Sequence, residues 1–398
     1  MGFGIAPIAQ AQVIEPLQAN ESVQIKSNQI KSGQAESDQA ESLIPESLAP
    51  EPAFLAQVPT PPPTPQTPAG EKPFLRVPIV KTQAAYLLEG NDSSARGRVE
   101  GRYLFSPHAM VGAVVDLSTG NAFADTRESG LSLTELYFTG SLPSYPQLRL
   151  TAGLMDLTSY FDRNSFAKDS LTHFFNSTFQ TNPALSATGI SSRWGAMLTW
   201  NPIDEVDLKA VTFSSTRDLG DFSLDAFAAE VGVKLGKHAI LRGTYVSDRD
   251  AGEEDGFREI FQLARGNGNR FGLLDGDRER AYGLNAEWFM PEIRLGLFGR
   301  YGWYENDGLD RGGSTYSFGA NLLDVFMPSD RLGLAYGRQL SNTDLRRDRD
   351  EKTPDVLELF YDIKLTPNLR GAVMLQERNA FSETVFGFRV RANFDLLP

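Results

Sequence analysis

The stretch SYFDRNSFAKDSLTHFFNSTF, residues 159–179, concentrates aromatic rings and charges between two segments that alternate with a period of two. Its apolar residues recur at helical spacing. One face of a short helix would therefore carry Leu171, Phe174, Phe175 and Phe179, and the other Lys168, Asp169, Thr172 and Asn176. Such a segment is expected to fold back onto protein, with its rings packed, rather than to stand in water. Its charged side chains could then exchange hydrogen bonds with a small polar solute.

The sequence offers few residues suited to covalent catalysis or to metal binding. There is no cysteine, and the three histidines, His108, His173 and His238, lie far apart in sequence. No Ser–His–acid motif stands out, so we predict no enzyme, no cofactor and no metal centre. Two acidic groups could hold a divalent cation, although solvated outer loops explain them better. They are Asp248, Asp250, Glu253, Glu254 and Asp255, and Asp275 with Asp277.

The formal net charge of −13 argues against binding to nucleic acid, which requires a basic surface. No run approaches the roughly 20 apolar residues of a membrane-spanning helix, so a membrane protein of this composition would be a β-barrel. From about residue 79 apolar and polar residues alternate with a period of two. We predict sixteen strands, at about 79–88, 97–105, 110–118, 131–142, 147–157, 190–201, 206–214, 226–236, 239–248, 281–290, 292–304, 314–323, 330–340, 354–365, 369–377 and 383–394.

The connections between these strands alternate in length. Seven short, mostly proline-containing turns interleave with eight polar connections that are usually longer, among them 89–97 and 158–189. This alternation and the even strand number favour a transmembrane antiparallel β-barrel over residues 73–398. The alternative is a large soluble β-sandwich, which would not need every second connection to be short. A barrel of about sixteen strands leaves an aqueous channel, which the inward-folded 158–189 loop would narrow.

Two stretches also resemble a known family, the OprB carbohydrate-selective porins. LRLTAGLMDLTSYFDRNSFAKDSLTHFFNSTFQTNPAL (148–185) is similar to the family's run of G-x-x-D-x-x-x-x-F, F-A-x-D, F-x-N-S-x-F and N-P-A motifs. The matching positions are Gly153, Asp156, Phe161, Phe166–Asp169, Phe175–Phe179 and Asn182–Ala184. PDVLELFYDIKLTPNLR (354–370) resembles the penultimate hairpin of the family. The resemblance implies a sixteen-stranded channel in the bacterial outer membrane that passes small sugars or similar solutes.

Sugar passage calls for aromatic rings and for side chains that exchange hydrogen bonds with hydroxyls. The predicted constriction and solute-binding residues are Phe161, Arg163, Phe166, Lys168, Asp169, His173, Phe174 and Phe175 in the loop, and Arg149, Arg193, Arg300, Arg389 and Arg391 on the wall. Further lumen-facing candidates are Lys209, Arg242, Glu287, Arg294 and Glu358. For each charge the alternative is lumen solvation or a cross-strand pair. The four tryptophans lie near strand ends and indicate an interfacial girdle.

Residues before the barrel show no hydrophobic periodicity. Ala9-Gln10-Ala11 indicates that 1–11 is the remnant of a signal peptide. Residues 12–72 contain four S-x-Q-[IA]-[KE] repeats and the segment VPTPPPTPQTP, which predict a disordered tether in the periplasm that could contact peptidoglycan. Partners would be small hydrophilic solutes, the outer-membrane bilayer and, in a homotrimer, two further copies. A general or inorganic-ion porin and a structural envelope-anchoring barrel are the alternative functions.

Overall fold

The computed structural model describes residues 78–123, 129–251, 256–266 and 270–397. The predictions for the signal-peptide remnant 1–11 and the tether 12–72 fall outside these residues, as do Glu253, Glu254 and Asp255 of the acidic group. Within the described residues no helix is both long and apolar enough to cross a membrane. Strands form nearly all of the regular structure.

In the described part of the chain, sixteen antiparallel strands close into a barrel, which confirms the predicted fold class. The barrel strands are β1 Pro78–Glu89, β2 Asp92–Ser106, β3 Ala109–Thr119, β4 Ser129–Leu142, β5 Tyr145–Asp156, β6 Ser192–Ile203, β7 Val206–Phe213, β8 Ala226–Leu235, β9 Ala239–Arg249, β12 Arg278–Met290, β13 Leu295–Asn306, β14 Arg311–Leu323, β15 Arg331–Ser341, β16 Asp355–Thr366, β17 Leu369–Arg378 and β18 Glu383–Leu397. β1 pairs with both β2 and β18, which closes the sheet. Two-residue strands, β10 Ala264–Arg265 and β11 Arg270–Phe271, form a separate hairpin, and the helices are α1 Pro183–Ser186 and α2 Thr343–Asp348.

The period-two pattern puts apolar side chains on the outside of the barrel and charged ones inside. On β18, Phe386 and Phe388 are exposed, whereas Arg389 and Arg391, which follow them on the other face, are buried. The same inversion occurs on β13, where Tyr301 is exposed and Arg300 is buried. An apolar outer face suits hydrocarbon, and a lumen supplies the polar partners that buried charges need. The sequence pattern therefore belongs to a membrane barrel and not to a soluble sandwich.

Two sequence expectations are wrong, one about a connection and one about a lumen-facing side chain. The first predicted outer loop, 89–97, is a turn of Gly90 and Asn91 between β1 and β2. The polar residues there, such as Ser93, indicate a loop in the sequence. In the structure they are strand residues paired with β1. Arg294 does not face the lumen, because a 3-10 turn over Pro291–Ile293 precedes it and its backbone is left-handed, with φ of 52°. Its half-exposed side chain lies 3.6 Å from Asp324 at the short-turn end.

Candidate functional site

The segment between β5 and β6, residues 157–191, folds into the lumen and is called the constriction loop below. It starts where β5 approaches β4 closely. Gly153 has φ of 133°, and a Cβ atom there would lie 2.2 Å from the carbonyl oxygen of Leu136, so only glycine fits without a shift. Asp156 then caps the 3-10 turn Leu157–Ser159 by accepting from the Thr158 N–H at 3.0 Å. These two residues fix where the chain leaves the wall.

Two asparagines shape the rest of the loop. The Asn176 side chain accepts from the Thr178 N–H at 3.0 Å and caps the 3-10 turn Ser177–Phe179. Asn182 caps α1 by accepting from the Ala184 N–H at 3.1 Å, with proline at the first helical position. The F-x-N-S-x-F and N-P-A motifs in the sequence are thus capping devices. They hold a long connection in one shape through local hydrogen bonds.

Arginines of the barrel wall bind the backbone carbonyls of the constriction loop. Arg300 donates to Ala167 at 2.6 Å and Phe179 at 3.0 Å, Arg331 to Thr172 at 2.7 Å, and Arg389 to Ser170 at 2.7 Å and His173 at 2.5 Å. These donors come from β13, β15 and β18, across the barrel from β5 and β6 where the loop begins and ends. The loop therefore crosses the lumen and is held on the far wall.

Glutamates on β8, β12 and β16 of the barrel wall bind the loop's backbone N–H groups. Glu230 accepts from Asp162 at 2.6 Å, Glu287 from Ser165 at 2.5 Å, and Glu358 from Phe175 at 2.6 Å and Asn176 at 2.9 Å. A buried connection without regular structure leaves its backbone groups to be satisfied by side chains. Because ionised partners make stronger hydrogen bonds than neutral ones, paired sets of arginines and glutamates are well suited to that task.

Asp162 and Arg300 are the hub of this anchoring. The Arg300 Nε atom lies 2.8 Å from the Asp162 Oδ2 atom, and both side chains are about 1% exposed. Asp162 also accepts from the Asn182 N–H at 2.8 Å and from the Asn285 side chain at 2.8 Å. The pair links the start of the loop, its last turn before α1 and the wall in one network. Removing one member would leave the other as a buried charge without its ion partner.

The aromatic rings of the loop pack against the wall. The Phe174 ring lies 4.8 Å from Phe360 in an edge contact and 5.5 Å from Phe298, centroid to centroid. Phe166 stacks near Phe289 at 6.1 Å. Arg389 lies 4.6 Å above the Phe175 ring, a cation–π contact. These loop rings are at most 4% exposed, so they hold the loop in place and present no open face to a solute.

A cavity of about 430 Å³ remains between the constriction loop and the wall around β1, β2 and β6. It is called the constriction cavity below. Its wall side carries an amide and three guanidinium groups, from Gln83, Arg96, Arg98 and Arg193. Its loop side carries the polar residues Thr158, Ser159, Ser170, Thr172, Ser177, Gln180, Thr181, Ser186 and Ser191, the charged Lys168 and Asp169, and the apolar Leu171, Pro183, Ala187 and Ile190. Ala122 and Phe123, in the connection after β3, also line the cavity.

The charges of the constriction cavity are held in fixed positions. Arg98 makes a two-pronged ion pair with Asp116, at 2.6 and 2.7 Å, behind the cavity surface. Arg96 donates to the Gln83 side chain at 3.0 Å. On the loop, Lys168 donates to the Thr158 carbonyl. Burial lowers the pKa of Lys168, while the charge of Asp156 works in the opposite direction. The cavity thus offers preorganised donors rather than mobile side chains.

His173 belongs to the loop's internal bonding and does not line the constriction cavity. Its Nε2 atom lies 2.9 Å from the Ser165 carbonyl oxygen and its Nδ1 atom 2.8 Å from the Thr172 hydroxyl. Burial, and next the positive charge of Arg331, lower the pKa of His173 to about 3. The ring is therefore neutral near pH 7.

The structure divides the predicted site residues into separate groups. Lys168, Asp169 and Arg193 line the constriction cavity, whereas Arg300 and Arg389 bind the loop backbone. Phe161 and His173 are buried with the other loop rings, outside the lining.

Three more predicted residues also lie outside the cavity lining. Arg163 is half-buried on the loop, and Arg149 is half-buried near the short-turn end of β5. Arg391 is buried on β18, opposite Arg370. Of the further candidates, Glu287 and Glu358 bind the loop, while Lys209 and Arg242 pair with Glu230 and Glu287.

Sequence reasoning missed four residues of the cavity wall, Gln83, Arg96, Arg98 and Phe123. Arg96 and Arg98 alternate with Ala95, Gly97 and Val99, which is a lumen-facing pattern. The predicted 89–97 loop hides this pattern at Arg96, whereas Arg98 lies within the predicted strand 97–105 and is missed only as a lumen-facing side chain. Phe123 had no periodic signal, because it lies in an irregular connection. Among the described residues no group of three or more acidic or histidine side chains is arranged to hold a metal ion.

Comparison with known proteins places this architecture among porins. The sequence model described as "Carbohydrate-selective porin, OprB family" matches residues 87–370. The chain is similar to the high-pH structure of Pseudomonas putida OprB, with a TM-score of 0.58 at 14% identity, covering 80% of this chain and 94% of that one. It is also similar to a loop-deletion mutant of OmpT from Vibrio cholerae, with a TM-score of 0.52 at 9% identity, covering 80% of this chain and 98% of that one. No curated protein sequence matches. At these identities the structures show the fold alone.

Proposed function

This chain belongs to the OprB family of carbohydrate-selective porins, and we propose that its solutes pass through the constriction cavity, between the constriction loop and the β1–β2 wall. It is an outer-membrane porin for carbohydrates. The observation that supports the route is the position of the constriction loop, which covers the far wall and leaves this cavity open on the other side. The proposal assigns solute contact to one side of the loop only.

The lining of the constriction cavity suits a small hydroxyl-rich solute. Serine, threonine and glutamine side chains both donate and accept, so they can exchange hydrogen bonds with sugar hydroxyls as the solute moves. The fixed guanidinium groups of Arg96 and Arg98 add donors at one wall. A volume of about 430 Å³ is at the lower end of the range for small-molecule sites, so larger oligosaccharides should be excluded. Transport would be diffusion down a gradient, with no covalent step and no enzyme activity.

The orientation of the barrel supports a periplasmic position for the N-terminal segment. Pro78, where β1 begins, and Leu397, where β18 ends, both lie at the edge that carries the short turns. In bacterial outer-membrane barrels short turns face the periplasm. We therefore place residues 12–72 in the periplasm. A homotrimer and a contact between this segment and peptidoglycan remain predictions from the sequence.

Liposome swelling with sugars of graded size tests the proposal. Monosaccharides should swell liposomes that contain the chain faster than trisaccharides do, with sharply lower rates as size increases. No swelling with any sugar, although the barrel is folded, would contradict carbohydrate passage. Conductance with and without sugar distinguishes a general ion porin, because a sugar-selective channel is partly blocked by its solute.

A structural anchoring role is tested separately by deleting residues 12–72. If the barrel served mainly as an anchor, the deletion should weaken the envelope and leave sugar uptake unchanged. Lost uptake with an intact envelope would count against the anchor. Unchanged uptake and an intact envelope would show that the segment serves neither role.

A further inference from the structure

Residues 120–123, the described start of the connection after β3, also reach into the lumen. Its path turns at Gly120, which has φ of 82°, and a Cβ atom there would lie 2.3 Å from the Ser94 hydroxyl and 2.5 Å from the Ser93 carbonyl oxygen. Only glycine allows this turn without a shift, because other residues rarely adopt that backbone conformation. The Ala122 N–H then donates to the Ser94 hydroxyl at 3.1 Å. The connection is thus bound to the inner side of β2.

The β3–β4 connection touches the constriction loop. The Ser170 hydroxyl donates to the Ala122 carbonyl at 3.2 Å. Phe123 packs with Leu171 of the constriction loop and Ala85 of β1 in a small apolar cluster, and its ring is only 5% exposed. Both connections line the constriction cavity. The cavity is therefore bounded by two loops that meet, and not by one loop and the wall alone.

Phe123 also holds Arg96. The Arg96 guanidinium carbon lies 4.7 Å from the centre of the Phe123 ring, which is cation–π distance. On its other side Arg96 donates to Gln83 at 3.0 Å, and Gln83 donates to the Asn393 side chain at 3.1 Å. The guanidinium is thus fixed between a wall chain and an aromatic ring. A donor fixed in this way has a defined direction, which a flexible arginine lacks.

We propose that Phe123 is a positioning residue for solute selectivity. By holding Arg96 beneath its ring and packing on Leu171, it sets where a guanidinium donor meets a polyhydroxylated solute and how wide the cavity is. This inference rests on the proposed carbohydrate function for its solute, but the contact between the two loops does not. The face of the ring holds Arg96, and the apolar bulk of the side chain packs on Leu171. Substitutions at position 123 can therefore separate these two contributions.

The functional test uses the full-length chain in planar bilayers, with glucose as the blocking probe. Phe123→Leu keeps apolar bulk but removes the ring face, and it should raise the half-blocking glucose concentration about three- to ten-fold. Phe123→Trp keeps a ring face and should stay within about two-fold of the parent. Phe222→Leu, an exposed phenylalanine on another outer loop, is the matched control and should behave like the parent. The proposal would be overturned if glucose blocked Phe123→Leu at the parental concentration. It would also be overturned if Phe123→Trp needed as much glucose for half-block as Phe123→Leu.

A second measurement does not depend on sugar. The chain has no cysteine, so Ala122→Cys with Ser170→Cys introduces a single reactive pair. A short bifunctional thiol reagent should join the pair within one chain, detected as one cross-linked peptide by mass spectrometry. If glucose fails to block the parent, the carbohydrate function fails, and Phe123 is then judged by this cross-link and by the chloride-to-potassium permeability ratio. No cross-link, or a ratio unchanged by Phe123→Leu, would overturn the positioning role.

Discussion

The two sides of the constriction loop use similar residues for different purposes. On the wall side, arginines and glutamates make hydrogen bonds to the loop backbone, and the phenylalanine rings pack against the barrel wall. On the cavity side, hydroxyl groups, Lys168 and Asp169 face the lumen across from Arg96 and Arg98. We propose that a wall arginine anchors the loop where the loop covers it and is available to a solute where it borders the constriction cavity.

The largest effect is expected from Arg300→Met on the wall side. The substitution leaves Asp162 buried without its ion partner and removes donors to the loop carbonyls of Ala167 and Phe179. Breaking a buried ion pair in this way costs about 3–5 kcal/mol, which should weaken the attachment of the loop to the wall around Asp162. Single-channel conductance should rise severalfold, and block by glucose should be lost. Arg149→Met is the control, because this half-buried side chain near the short-turn end of β5 does not bind the loop within the described residues. Equal conductance in the two variants would contradict the role of Arg300 as an anchor.

Glu358→Gln should have a smaller effect on the same side. Glutamine keeps one acceptor oxygen, so one of the two N–H groups now bound, of Phe175 or Asn176, loses its partner. An unsatisfied buried donor costs about 1–3 kcal/mol. Hydrogen–deuterium exchange should accelerate at residues 174–177 while conductance changes by less than in Arg300→Met. Glu383→Gln, exposed on β18, should leave exchange in the loop unchanged. Parental exchange in Glu358→Gln would show that this carboxylate does not hold the loop.

On the cavity side, Lys168→Met and Asp169→Asn should shift ion selectivity in opposite directions. Lys168→Met removes a positive charge from the lining and should favour potassium, whereas Asp169→Asn removes a negative charge and should favour chloride. A charge about 10 Å from a passing ion in water contributes roughly 0.4 kcal/mol, so each permeability ratio should change about two-fold. Reversal potentials at pH 6 in a potassium chloride gradient measure this. Shifts of the same sign, or none, would place these residues outside the ion path.

The difference between the two sides also marks the limit of sequence reasoning. Strand positions follow from a period of two that a lipid-facing sheet imposes, so the barrel was predictable. Loop motifs are local, and Asn176 and Asn182 cap turns within a few residues. The role of a wall arginine is not local, because Arg300 meets a carbonyl 121 positions away and Arg389 one 219 positions away. Nothing in the spacing of arginines tells which of them a distant loop will cover.

The smallest effect is expected at His173, which is buried on the loop and outside the cavity lining. Burial and Arg331 lower its pKa to about 3, below the ordinary value of 6.5, so the ring should stay neutral from pH 8 down to pH 5. A protonated ring would add positive charge beside Asp169 and shift selectivity towards chloride as the pH falls through this range. We therefore expect the permeability ratio of His173→Gln to follow that of the parent at every pH in the window. Any other titrating lumen group contributes equally to both chains and cancels in the comparison. A parent that turns more chloride-selective than His173→Gln near pH 6 would show that the ring is charged, and the cavity side would then include His173.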